Sequence, residues 1–300
     1  MARTRFRSDR GLTLRMGGVS LGLGALYILF AAVLYSFTDL GVLALVIVLA
    51  LAWGQWYFSD TLALKSMNAQ VVEPQQAPEL HAMIDRLCAL ADMPKPRVAV
   101  AVTDMPNAFA TGRSPRHSSV CVTTGIMQRL DADELEGVLA HELSHVANRD
   151  VTVMTVASSI GLLAGFITRW GLYAGNIFGS RDNRNSGAVF AVVFLVSMLV
   201  YALSFVLTRS LSRYRELSAD RSGAYMTGRP SKLSSALVKI SGEMARIPNR
   251  DLRESQAISA FFFAPAINRQ SVGAMFSTHP PLQQRLDQLA QVSAELSEQG

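Results

Sequence analysis

The chain has 300 residues, 50% of them hydrophobic and only 17% charged, with a mean hydropathy of +0.24. This excludes an intrinsically disordered chain and points to membrane spans. The net charge of +5 sits mostly at one end, where Arg3, Arg5, Arg7, Arg10 and Arg15 stand against Asp9 alone. A spread nucleic-acid footprint is therefore not expected, and a basic flank beside a membrane segment fits better.

Four apolar runs are long enough to span a bilayer, which takes about 20 residues. They cover residues 19–37, 40–58, 151–170 and 188–207. The first two contain no charge, and Asp39 lies between them. The first run exceeds the apolar core of a signal peptide and a second follows at once, so the pair reads as an uncleaved hairpin. The third run admits only Arg169, at an end where it can snorkel. The positive-inside rule puts the Arg-rich N-terminus in the cytoplasm and returns residues 59–150 and 208–300 to the same side. Arg209, Arg213 and Arg215 support this; Arg181 and Arg184, partly offset by Asp182, work mildly against it.

Between the spans, residues 59–77 read as a linker that ends in a polar, proline-bearing stretch. Residues 79–93 have apolar residues at helical spacing, stopped by Pro94 and Pro96. Residues 97–103, 107–112 and 118–123 read as short strands. Residues 131–150 read as a helix, with Asp131 and Glu134 spaced as a capping box. Residues 208–226, 231–246 and 282–298 are predicted helical, and 251–276 irregular. Cys88 and Cys121 form no paired motif and read as small core residues in a reducing compartment. His81 and His117 read as surface residues.

Within the helix at 131–150 stands His141-Glu142-Leu143-Ser144-His145. Histidines at i and i+4 project from one helix face, so both imidazoles can reach one zinc ion. Glu142 points to the same cavity, where it can take a proton from a water that the cation has acidified. A third protein ligand is needed. The position six residues after His145 holds Val151, so the extended motif with a third histidine is excluded. Glu216 is the best candidate, with Asp220 four residues on along the same helical face. One carboxylate can bind metal while the other accepts the free N–H of a ligating histidine. His145 lies about 9 Å and Glu216 about 13.5 Å along a helix from the nearest span. Both halves of the site would therefore hang at similar depth on one side of the membrane.

The sequence resembles the HtpX-type membrane zinc endopeptidases, relatives of the CAAX prenyl endopeptidase within the gluzincin class. The blocks that carry the likeness are Asn107-Ala108-Phe109-Ala110-Thr111-Gly112, Leu139-Ala140-His141-Glu142-Leu143-Ser144-His145, Arg215-Glu216 to Ala219-Asp220, and Thr278-His279-Pro280-Pro281 with Arg285. The resemblance implies one zinc per chain on His141, His145 and Glu216, with Glu142 as catalytic base. It also implies an enzyme of the bacterial inner membrane that degrades misfolded membrane proteins, with its catalytic domain in the cytoplasm. Family members dock substrate on an edge strand; Asn107, Ala108, Phe109, Ala110, Thr111 and Gly112 would supply it here, by main-chain pairing that is largely blind to sequence. His279 and Arg285 are candidates to stabilise the oxyanion.

The expected architecture is α+β and mainly helical, with about four transmembrane helices and a gluzincin-like protease domain with a small sheet. Residues 1–18 form the basic N-terminus, 19–58 a transmembrane hairpin, and 59–150 the first part of the protease domain. Residues 151–207 are an inserted hairpin and 208–300 the second part. The partners are the bilayer and unfolded or misfolded membrane proteins. Two alternatives keep the same metal site: a non-catalytic zinc scaffold, and a CAAX-type enzyme with one specific substrate. An intact Glu142 argues against the first, and four spans rather than a larger helical chamber argue against the second.

Overall fold

The computed structural model describes residues 9–37, 56–150, 184–244 and 280–298, with single positions 46, 50, 53 and 54. The expected span at 151–170, most of that at 40–58, the irregular stretch 251–276 and His279 lie outside the described residues. The chain divides into two units. One comprises Met1–Leu12, Phe58–Val151 and Ser212–Gly300; the other comprises Thr13–Tyr57 and Thr152–Leu211.

In the second unit the described chain is helical. Helix α1 runs Arg10–Phe37 and carries no charged residue after Arg15. The helix Arg184–Thr227, numbered α6 in chain order, contains the apolar stretch expected at 188–207. Among the described residues one helix, Phe194–Thr227, is long and apolar enough to cross a membrane, with a mean hydropathy of 1.8 over its best window. Leu21 and Ile28 on α1, and Leu195, Leu199 and Val206 on α6, are exposed. Large apolar side chains turned outward in rows suit a lipid solvent rather than water.

The first unit is built on a four-stranded mixed sheet in the order β1-β2-β4-β3. Its strands are β1 (Gln70–Val71), β2 (Arg97–Ala101), β3 (Ala108–Ser114) and β4 (His117–Thr123). Strands β2 and β4 pair in parallel, while β1 with β2 and β3 with β4 pair antiparallel. The strand expected at 107–112 is thus an edge of the sheet. Its turn into β4 requires Gly112: φ is +143°, and a Cβ there would lie 2.3 Å from the His117 carbonyl oxygen.

Both faces of the sheet are covered. On one face Val98, Ala108, Val120 and Val122 join a core with helices α3 (Pro78–Ala91), α5 (Ala132–Asn148), α7 (Pro230–Met244) and α8 (Leu282–Ser297). On the other, Ala99, Ala101, Phe109 and Cys121 pack against Ala63 and Leu64 of helix α2 (Ser59–Ser66). The sequence reading of 59–77 as a linker is corrected here. Eight residues are too few for helical periodicity to stand out, and it is the second sheet face that gives Ala63 and Leu64 something to bury against. A short helix α4 (Thr124–Arg129) follows β4. His81 is also corrected: it is buried, with Nε2 3.0 Å from the Val72 carbonyl. His117 is exposed, as expected. Both cysteines are free and buried. Burial pushes the Cys88 thiol up to about 11 and the Cys121 thiol up to about 12, which keeps them inert near neutral pH.

Helix α5 starts where its capping box predicts. The Glu134 amide donates to the Asp131 carboxylate at 2.8 Å, and the Asp131 amide donates to Glu134 Oε2 at 2.9 Å. Glu134 also accepts from Ser235 and Lys239 of α7, at 2.6 and 2.7 Å, which ties the two helices together. Helix α5 ends at Asn148, two residues before its sequence pattern suggests: Arg149 adopts the left-handed region at φ 58° and turns the chain at Asp150.

Candidate metal centre

Helix α5 presents His141, Glu142 and His145; the part of α6 in the same unit presents Glu216 and Asp220. The two helices approach closely because Gly223 of α6 lies against the α5 backbone. A Cβ there would stand 2.9 Å from the His141 amide nitrogen and 3.1 Å from the Ala140 carbonyl carbon. Gly223→Ala should therefore push the ligand-bearing helices apart, costing about 1–3 kcal/mol of stability by overpacking and weakening metal binding. A melting midpoint above that of wild type, as expected for Gly→Ala in an unconstrained helix, would refute this close contact.

His141 Nε2 lies 3.2 Å from His145 Nε2 and 3.5 Å from Glu216 Oε2, and His145 Nε2 lies 3.5 Å from Glu216 Oε1. The three residues are buried, and one candidate ligand atom from each falls within 4.8 Å of the others. A tetrahedral cation with bonds of 2.0–2.1 Å needs ligand atoms about 3.3 Å apart. The donor set fits such an ion in both chemistry and spacing.

Each imidazole is held from behind. His141 Nδ1 is 2.8 Å from Asp220 Oδ1, and Arg285 grips the same carboxylate through Nε and Nη2, both at 2.7 Å. Burial disfavours a proton on His141, but the hydrogen bond and charge of Asp220, with help from Glu216, raise its pKa to about 9. A proton and a metal cation would compete for the same Nε2 lone pair, so this carboxylate would also strengthen His141 toward a metal. Burial works against the charge of Asp220, yet Arg285 holds its carboxyl below the usual range. On the other side, His145 Nδ1 is 2.9 Å from Asp150 Oδ2. Arg215 donates from Nη2 to Glu216 Oε1 at 3.0 Å and places Nε 3.9 Å from Asp150 Oδ2.

Glu142 has no place among the three converging ligand atoms. It accepts from the Ala110 amide at 2.9 Å. Burial pushes its carboxyl up, against the pull of the two histidines and that amide, which suits a group that must take and return a proton. The contact also fixes the orientation of edge strand β3. Neighbouring residues of a strand direct their amides to opposite sides. The Thr123 amide donates to the Asn107 carbonyl at 3.0 Å, so Asn107, Phe109 and Thr111 face β4. Ala108 and Ala110 turn their main-chain groups outward, on the side where Glu142 stands.

The structure thus brings together His141, Glu142, His145, Glu216, Asp220 and the strand of Ala108–Ser114. Arg285, expected at the oxyanion, is buried and paired with Asp220. Sequence reasoning missed Asp150 and Arg215. Asp150 lies five residues from His145, a spacing that puts no two side chains together on a helix, and only the left-handed turn at Arg149 makes the contact. Its one signal was an acidic residue next to the end of the histidine helix.

Comparison with known proteins agrees with this geometry. The model of Peptidase family M48 matches residues 74–293. The chain is 56% identical over 296 residues to "Protease HtpX homolog 1" of Streptomyces coelicolor, covering 98% of this chain and 97% of the relative. It is 50% identical to "Protease HtpX homolog" of Moorella thermoacetica, covering 99% of each. Among solved structures, S. mikatae Ste24p superposes with a TM-score of 0.55 at 19% identity, covering 95% of this chain and 68% of the other, which shows a shared fold. The family match and the named protease relatives make the chain a membrane-bound metalloendopeptidase, and two helical histidines and a glutamate able to hold a metal fit that class. The chain belongs to Peptidase family M48.

Proposed function

We propose that the metal is zinc, one per chain, held by His141, His145 and Glu216, and that the enzyme cleaves misfolded or damaged membrane proteins as part of quality control. The convergence of those three side chains at tetrahedral spacing carries the reading; two imidazoles and a carboxylate favour zinc. Zinc so held supplies Lewis acidity for peptide hydrolysis. Glu142 takes a proton from the attacking water and returns it to the leaving amine, with its carboxylate steadied by the Ala110 amide. Asp220, backed by Arg285, keeps the His141 proton on Nδ1 and its lone pair on Nε2. His279 remains the candidate for the oxyanion, and Arg285 acts through Asp220.

Asn107, Ala108, Phe109, Ala110, Thr111 and Gly112 would dock substrate as an added strand, and main-chain pairing suits a protease that must accept many sequences. The domain plan is that of the sequence: a basic N-terminus at 1–18, a hairpin at 19–58, protease parts at 59–150 and 208–300, and an inserted hairpin at 151–207. The four apolar runs support four spans, the basic flanks a cytoplasmic site, and the resemblance to HtpX-type proteases the bacterial inner membrane.

The test is to purify the full chain in detergent without metal, add zinc, and follow casein cleavage. Chelator-sensitive cleavage is expected; one bound zinc with no cleavage would favour the scaffold reading. Strand docking adds a second expectation. In a cleaved peptide, N-methylation at the residues whose amides face β3 should suppress cleavage at least tenfold, and at the alternate residues should not. A flat response along the peptide would remove edge-strand pairing.

A further inference from the structure

We propose that Asp150, backed by Arg215, is a positioning residue for the metal: it holds His145 in the tautomer that presents Nε2 to the cation. The inference rests on the reading of His141, His145 and Glu216 as the metal ligands. A neutral imidazole carries one ring proton, and the partner of one nitrogen decides which it is. Asp150 Oδ2 stands 2.9 Å from His145 Nδ1, while Nε2 faces the other two ligands. A carboxylate accepts and does not donate, so it draws the proton to Nδ1 and leaves the lone pair on Nε2.

Three observations separate this from an incidental contact. The first is repetition. His141 is backed by Asp220, which Arg285 hydrogen-bonds at 2.7 Å, and His145 by Asp150, with the Arg215 guanidinium 3.9 Å away, so each imidazole rests on a carboxylate with a guanidinium near it. The second is cost. Asp150 is 1% exposed, and its Oδ1 has no hydrogen-bond partner among the described residues. A buried acceptor left unsatisfied weakens the fold, so stability alone gives no reason for an aspartate at this position. The third is economy of placement: the guanidinium that donates to the ligand Glu216 also places its positive charge 3.9 Å from Asp150, where it favours the carboxylate form that His145 needs behind it. Asp150 and Arg215 also flank the long segment Thr152–Leu211 that belongs to the other unit.

The test uses the full chain in detergent, as wild type, Asp150→Asn, Asp150→Ala and Arg215→Lys, each prepared metal-free. Zinc affinity is read by competition with a chromophoric chelator. Asp150→Asn and Asp150→Ala should each bind zinc 10–100-fold more weakly. Ring-nitrogen shifts of labelled histidine report the tautomer, and with 5 histidines in the chain His145 is assignable by single substitution. Wild type should show the proton on Nδ1; Asp150→Asn should show a mixture. In the nearly isosteric Asp150→Asn, wild-type zinc affinity with an unchanged tautomer would overturn the positioning role. Should Asp150→Ala fail to fold, Asp150→Asn and Arg215→Lys carry the test, the latter with an expected smaller loss of affinity. Wild type that binds no zinc would instead refute the metal reading itself, so the two failures are distinguishable.

Discussion

Glu142→Gln is expected to lower cleavage about 10²–10⁴-fold and to leave one zinc bound per chain. The carboxamide is close to isosteric, and Glu142 lies outside the three converging ligand atoms. What is lost is the ability to accept a proton. The native carboxyl is buried and pushed up from its ordinary range, which would suit a base that takes a proton from water and then gives it to an amine. The comparison is made at saturating zinc with casein as substrate, alongside metal analysis of the same preparation. Cleavage within a few-fold of wild type would exclude Glu142 as the base. Lost zinc would mean that Glu142 helps to hold the site rather than to run the reaction.

Glu216→Ala is expected to abolish cleavage by a different route, through loss of the metal. Glu216 is 1% exposed and brings the only carboxylate to the three-residue cluster. Its removal leaves two imidazoles, and it strips Arg215 of the acceptor 3.0 Å away. Among the described residues, Arg215 then keeps only the more distant Asp150 carboxylate as an ion-pair partner, and a buried cation that loses its nearer partner weakens the fold, so a lower melting midpoint should accompany the loss. Metal analysis after dialysis should find well below one zinc per chain where wild type retains one. Unchanged stoichiometry would remove Glu216 from the ligand set. The two variants thus separate base from ligand: one keeps zinc without cleaving, and the other does neither.

Much of this was legible in residue spacing. His141 and His145 are four apart on a pattern that could only be helical, and the capping box of Asp131 and Glu134 marked where that helix begins. Glu216 and Asp220 repeat the same interval on a second helix. Local periodicity is read directly because it involves neighbours in the chain. Helix α2 escaped that reading because eight residues hold too few apolar positions to show a period, and because the sheet face it covers is assembled from strands far along the chain. His81 escaped it because burial against the Val72 carbonyl is a property of packing. Arg285 was singled out through the family resemblance, in the first turn of the last helix, but not its partner: Asp220 lies 65 residues earlier.

By itself the sequence determined a chain with apolar runs of membrane length, a helical histidine pair able to hold a metal, a glutamate placed to serve it, and a second acidic helix to complete it. These rest on interactions over one or two helical turns, or on the solvent preference of a continuous run. Only the tertiary structure decided that the edge strand offers its Ala110 amide to Glu142, that Arg285 supports Asp220, and that Asp150 and Arg215 stand behind His145. The physical reason is the same in each case. A side chain's charge and hydrogen-bonding groups are written in the sequence, but their partners depend on how two helices meet at Gly223, how α5 turns at Arg149, and which way the amides of β3 face.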